Sequence, residues 1–213
     1  YDIFSKKLTE VAPFTVDLLL PSGAENLNYV LYTDESPYKM QREWLDRLPF
    51  DIYSVNVHTG AKRLIGRSYR TAPKWSVNGK WAVMYDPIAQ VWNKFDGATG
   101  KVVNISDAIG YPMFVESYDK PAPAPAYGIA GWTADGNNVF LYDAYDWWKI
   151  DLTGERQPEC LTKGYGRKHG KSIRKMTSNI DKDVFQKDEK VIVSLWDKDT
   201  MDEGVYQLDM KGR

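Results

Sequence analysis

Hydrolytic chemistry of the serine type needs a nucleophile on a strained strand-to-helix turn, written G-x-S-x-G, with a histidine base within reach. The chain contains no such pentapeptide and only two histidines, His58 and His169. Each lies among turn-forming residues, His58 before Thr59-Gly60 and His169 before Gly170, so both are expected as surface turn residues. Gly170-Lys171-Ser172 has the ending of a phosphate loop, but that loop needs a glycine five positions before Gly170, where Tyr165 stands. Asp197, Asp199, Asp202 and Glu203 crowd one stretch, yet the glycine at the sixth place and the glutamate at the twelfth place of a calcium loop are missing. They read as turn carboxylates. The single cysteine, Cys160, excludes an internal disulfide and a multi-cysteine zinc site. No catalytic residue, metal site or cofactor site is therefore expected in this stretch of sequence.

What remains is surface for contact. Trp75, Trp81, Trp92, Trp132, Trp147 and Trp148 recur at related places and are expected in packing. Trp44 stands apart from that series, in an insertion from Ser36 to Pro49, and is the better candidate for a partner or substrate contact. Glu116, in the loop before a Pro-Ala run at Lys120 to Ala126, is the second.

The elements that carry these residues repeat. Tyr127 to Gly154 holds three apolar runs, Ile129–Trp132, Val139–Tyr142 and Trp147–Leu152, separated by turns that include Asp135-Gly136. Asp-Gly between β-type runs marks a hairpin, because glycine takes the positive φ the turn needs. Trp75-Ser-Val-Asn-Gly-Lys-Trp-Ala-Val-Met-Tyr85 aligns with Trp132-Thr-Ala-Asp-Gly-Asn-Asn-Val-Phe-Leu-Tyr142, and an aspartate follows each. A second signature, an apolar strand ending in Asn or Asp, a short turn and then Gly, occurs at Ile52–Gly60, Trp92–Gly100, Trp147–Gly154 and Val205–Gly212. Its anchors Val55, Phe95, Ile150 and Leu208 are spaced by about 40 to 60 residues, the range of propeller blades. The sequence predicts an all-β fold, a single partial β-propeller domain over 1–213. It has about four antiparallel blades of WD40-like or TolB-like type, near 11–66, 71–106, 126–163 and 173–213. The last blade is incomplete, which suggests part of a larger propeller. In the insertion, Met40, Trp44, Leu45 and Leu48 have the spacing of one helical face, so a short helix is expected there. Gly164 to Lys171 is expected as a basic, glycine-rich loop.

Composition narrows the partners. A net charge of −1 gives no basic excess for nucleic acid or an anionic membrane surface, and no apolar run approaches the roughly 20 residues of a membrane span. No signal peptide is visible at Tyr1, and the first residue is not Met, as in a processed or trimmed chain.

Asn104-Ile105-Ser106, then Glu116, Asp119 and the Pro-Ala run, then YGIAGWTADG, YDAYDWWKIDLTG and Leu161-Thr-Lys-Gly-Tyr-Gly-Arg167 together resemble the N-terminal propeller of the prolyl oligopeptidase family of serine peptidases. The W-S-x-x-G-K element at Trp75–Lys80 is shared with TolB-type and WD40-like blades; the longer run is more specific. The resemblance implies a non-catalytic propeller that caps and gates a downstream α/β-hydrolase domain of the same chain and offers a recognition wall to peptide substrates. The triad of that family lies in the hydrolase domain, so no catalytic residue transfers to this chain. An extracytoplasmic location, periplasmic or secreted, is implied by the same kinship. The alternative is a stand-alone TolB-like propeller that holds a protein or glycan partner. A reading frame that continues past Arg213 into a G-x-S-x-G segment separates the two.

Overall fold

The computed structural model describes residues 9–13, 16–22, 28–45, 47–176 and 183–211. Four antiparallel sheets follow one another along the chain. The first is built from β1 (Leu18–Leu20), β2 (Tyr29–Asp34), β3 (Phe50–Asn56) and β4 (Lys62–Tyr69), in that order. The second holds β5 (Lys74–Trp75), β6 (Trp81–Asp86), β7 (Val91–Asp96) and β8 (Val102–Asn104). The third holds β9 (Ile129–Thr133), β10 (Asn138–Tyr142), β11 (Trp147–Asp151) and β12 (Glu159–Cys160). A short helical turn, α1 (Tyr165–Lys168), leads to β13 (Lys171–Lys175), β14 (Val184–Phe185), β15 (Lys190–Asp197) and β16 (Glu203–Asp209). Among the described residues the last sheet has three strands, β13-β15-β16. This succession of up-and-down sheets is an all-β, partial β-propeller fold with an incomplete last blade.

The departure from regular order is β14. It leaves its own sheet and pairs parallel with β9, Val184 opposite Trp132 and Phe185 opposite Thr133. Gly131 makes this approach possible. A Cβ there would lie 2.5 Å from the Phe185 ring and 2.6 Å from the Asp183 carbonyl oxygen, closer than any side chain tolerates.

The repeated turns have one physical basis. Asn56 Oδ1 accepts the backbone N–H groups of His58 and Thr59, both at 3.0 Å. Asp96 Oδ1 accepts those of Ala98 (2.8 Å) and Thr99 (3.1 Å). Asp151 Oδ1 accepts that of Thr153 at 2.9 Å, and Asp209 Oδ1 that of Lys211 at 2.8 Å. Short carboxylate and amide side chains mimic a backbone turn in this way. In the first two turns the closing glycines, Gly60 (φ 72°) and Gly100 (φ 69°), then take the left-handed conformation that glycine adopts without a Cβ penalty. The fourth turn's Gly212 lies outside the described residues.

Contacts divide the chain into two compact units. One comprises the described residues of Tyr1–Trp75, Gly79–Ala89 and Asn93–Val103; the other those of Ser76–Asn78, Gln90–Trp92 and Asn104–Arg213. The first unit buries Leu31, Phe50, Ile52, Tyr69, Met84 and Phe95 as one cluster. The second buries Phe140, Tyr142, Trp147, Ile173, Phe185 and Val193 as another, drawn from the third and fourth sheets together. Trp75 and Trp132 open their sheets at matching places: each pairs with the residue seven positions on, Ala82 and Val139. Trp132 is buried, whereas Trp75 is half-buried with its indole N–H on the Leu20 carbonyl at 3.0 Å.

The insertion does not form the expected helical face. Ser36–Gln41 is a single 3-10 segment. Met40 and Trp44 project into solvent, and Leu48 alone of the four is fully buried. The segment gives way to a turn at 42–44, and Pro49 keeps the preceding Leu48 out of the α region, so no helix is resumed before β3. Tyr38 ties the segment down by donating its hydroxyl to Asp51 Oδ1 at 2.5 Å.

Candidate functional site

The densest set of polar chemistry in the described residues lies at one end of the third sheet. Asp143 and Asp146 sit in the tight turn between β10 and β11, and both are buried, at 0% and 1% exposure. Asp143 Oδ1 accepts the backbone N–H groups of Tyr145 (2.7 Å) and Asp146 (2.6 Å). Its Oδ2 accepts the indole N–H of Trp148 (3.1 Å) and Nη2 of Arg167 (3.0 Å). Asp146 Oδ1 accepts the Thr162 hydroxyl (2.6 Å) and the Gly166 N–H (2.9 Å), and Oδ2 accepts the Arg167 N–H (3.0 Å). Thr162 Oγ1 in turn accepts the Trp147 N–H at 3.2 Å. A buried carboxylate is tolerated when its charge is paired or its lone pairs are filled: Asp143 meets both conditions through Arg167 and its other donors, and Asp146 has donors on both oxygens.

Gly166 has to be glycine. A Cβ on it would fall 2.7 Å from the carbonyl oxygens of Tyr145 and Lys171 and 3.0 Å from Asp146 Oδ1. Arg167 follows it into a slot between two rings, with its guanidinium carbon 3.9 Å from the Tyr111 centroid and 5.1 Å from that of Tyr145. Burial by itself would lower the Arg167 pKa, but the hydrogen bond and charge of Asp143 outweigh it and leave the group raised. Arg174 lies more deeply and holds the same turn from below, donating to the carbonyl oxygens of Asp143 (2.8 Å) and Ala144 (3.1 Å). Burial is the main reason its pKa is lowered, with Tyr142 and Asp143 opposing.

Beside this clasp opens a cleft of about 400 Å³, lined by Tyr111, Asp146, Trp148, Cys160, Arg167 and Lys168 among others. Tyr111 and Trp148 form an aromatic wall, ring centroids 6.0 Å apart and tilted by 44°. Cys160 accepts the Gly164 N–H at 3.2 Å, and burial pushes its thiol pKa up, away from the thiolate form a nucleophile needs. The carboxylates are committed as acceptors on both oxygens. These bonds tie the turn between β10 and β11 to Thr162 and to α1. A second hollow of about 270 Å³ lies over Phe140, Phe185 and Met210. Its one carboxylate, Asp135, is committed to its own turn through Thr133 and Asn137.

The two contact residues expected from sequence are not among those that line the cleft, and they belong to different compact units. Trp44 is 76% exposed in the turn after the 3-10 segment, in the first compact unit. Glu116 is exposed in the second unit, where its backbone N–H meets the Tyr127 hydroxyl at 3.4 Å. Neither lines the cleft. His58 and His169 are both exposed in turns, and Asp197 is occupied in accepting the N–H groups of Asp199 and Thr200. The expected loop at Gly164–Lys171 instead contains α1, held by its two N–H bonds to Asp146. Among the described residues no group of three or more His, Cys, Asp or Glu is placed to hold a metal ion, and no helix is long and apolar enough to cross a membrane.

No protein-family model and no curated protein matches the chain. Solved structures do. A Bacteroides thetaiotaomicron protein described as of unknown function matches at 9% identity and a TM-score of 0.37, over 92% of this chain and 42% of that one. Pyrococcus horikoshii acylaminoacyl peptidase matches at 12% identity and 0.35, over 90% and 32%. The β-propeller domain of the Trilobed protease from Pyrococcus furiosus matches at 14% and 0.37, over 92% and 69%. This chain thus spans less than half the length of the first two. At these scores the likeness adds nothing to the fold already read from the sheets.

Proposed function

We propose that the chain is the non-catalytic propeller portion of a serine peptidase of the prolyl oligopeptidase type, capping and gating an α/β-hydrolase domain that acts on peptides. One observation carries this reading. The two separated stretches that resemble the family, YDAYDWWKIDLTG and LTKGYGR, meet in a single buried network of Asp143, Asp146, Thr162, Gly166 and Arg167. A resemblance confined to surface letters has no reason to obey such a constraint. Under this reading the clasp fixes the end of a blade, and catalysis belongs to the linked domain. The exposed Trp44 and Glu116 are contact points for that domain or for a substrate, and an extracytoplasmic location belongs to the same proposal.

The test is fluorophosphonate labelling of the protein expressed from its complete reading frame, with the labelled residue mapped. Such probes need a serine activated by a base and an oxyanion hole. One labelled serine beyond Arg213 is expected, with none inside 1–213. A complete frame that encodes no G-x-S-x-G segment and does not label would overturn the reading in favour of a binding propeller.

A further inference from the structure

The cleft beside the clasp has more than a structural part to play. Arg167 spends Nη2 on Asp143, and its Nε is buried without a hydrogen-bond partner. Its remaining nitrogen, Nη1, makes no hydrogen bond among the described residues. Lys168, next in sequence and exposed, also lines the cleft and forms no ion pair among them. A third cation, Lys198, lies 4.6 Å from the Tyr145 ring that backs Arg167. Of the acidic groups nearby, Asp143 is paired with Arg167, and the buried Asp146 has its charge set against both Arg167 and Arg174. At one side the cleft thus offers the ammonium of Lys168 and Nη1 of Arg167, both unpaired among the described residues. The other side is an aromatic wall, Tyr111 at 45% exposure and the partly exposed Trp148, whose indole N–H is already used on Asp143.

We propose that this cleft binds an organic carboxylate attached to a flat apolar group, with the carboxylate on Arg167 Nη1 and Lys168 and the apolar part stacked on Tyr111 and Trp148. Charge-assisted bonds to a carboxylate and stacking on the solvent-exposed part of these rings are the two interactions this side of the cleft offers. A peptide ending in an aromatic residue and a free aryl acid both present that chemistry. The site stands independently of the peptidase reading, since it is built entirely by this chain.

Titration of the 213-residue chain, followed through the amide resonances of Gly164, Arg167 and Lys168, tests the proposal. The probes are N-acetyl-Gly-Gly-Phe as the free acid, the same peptide as its C-terminal amide, and phenylacetate. The acid is expected to bind with Kd on the order of 1 mM and the amide at least about tenfold more weakly. Added salt weakens the acid alone, as for any exposed charge pair. Lys168→Ala and Tyr111→Ala should each weaken the acid about five- to tenfold, and Lys168→Ala, at an exposed position, should leave the unfolding midpoint within error of the parent. Phenylacetate matching the peptide acid assigns the site to small aryl acids; a peptide acid about tenfold tighter assigns it to chain termini. Equal binding of acid and amide, or no saturable shift at these amides up to roughly 20 mM, overturns the proposal.

Discussion

Truncation of Asp146 to alanine should be among the most damaging changes available in the second unit. The carboxylate accepts three bonds at 2.6, 2.9 and 3.0 Å and is 1% exposed. Hydrogen bonds to a charged group are worth roughly 1.5–3 kcal/mol each, so the gross loss is about 4.5–9 kcal/mol. Removing a buried charge returns part of its desolvation cost, which brings the net to about 3–5 kcal/mol. With a urea slope of about 2–3 kcal/mol per M for a chain of this size, the unfolding midpoint falls by about 1–2.5 M. Asp146→Asn keeps one acceptor oxygen and turns a donor toward a donor at the other, so about 1–3 kcal/mol is expected. Asp135→Ala is the control: that carboxylate is exposed and serves only its own turn, and about 0.5–1.5 kcal/mol should be lost. Urea titrations followed by circular dichroism rank the three. If Asp146→Ala and Asp135→Ala shift the midpoint equally, the clasp does not hold the blade end as argued.

Trp132→Ala should cost about 3–5 kcal/mol, because the side chain is 5% exposed, whereas Trp44→Ala at 76% exposure should stay within about 0.5 kcal/mol; the same titrations decide both. Cys160 should alkylate with iodoacetamide at least about tenfold more slowly in the native protein than in urea at pH 8, because burial raises its pKa; equal rates would refute that. Asp135 is held below the ordinary carboxylate range chiefly by the Thr133 hydroxyl. For Asp151 burial is the largest single effect and pushes the other way, but the hydroxyl and N–H of Thr153 and the N–H groups of Glu155 and Arg156 together outweigh it. A folded pKa below the unfolded value of about 3.9 means stability that is present above that value and lost as pH falls through the folded one. Carboxyl NMR titrations should therefore place both midpoints below about 3.9, and a midpoint above it for either residue refutes its assignment.

The repeating sheets were legible in the sequence because their determinants are local. Asn56, Asp96 and Asp151 act on backbone N–H groups a few residues downstream, Gly60 and Gly100 on their own φ, and alternating apolar residues on adjacent strands, so each leaves a mark at short spacing. The clasp was half legible: its residues stood out by resemblance, yet nothing in the spacing said that Asp146 would meet Gly166 twenty positions on. That meeting depends on β11 and β12 returning the chain to the turn, and only the tertiary structure supplies it. The same holds for Tyr111, whose place over Arg167 joins segments more than fifty residues apart. β14 shows the limit from the other side. Two residues, Val184 and Phe185, carry too little pattern to name a partner, and a long-range contact with β9 at Gly131 decided where they pair. Local chemistry wrote the turns and strands into the sequence; the pairing of distant segments, and with it the cleft, belongs to the folded chain alone.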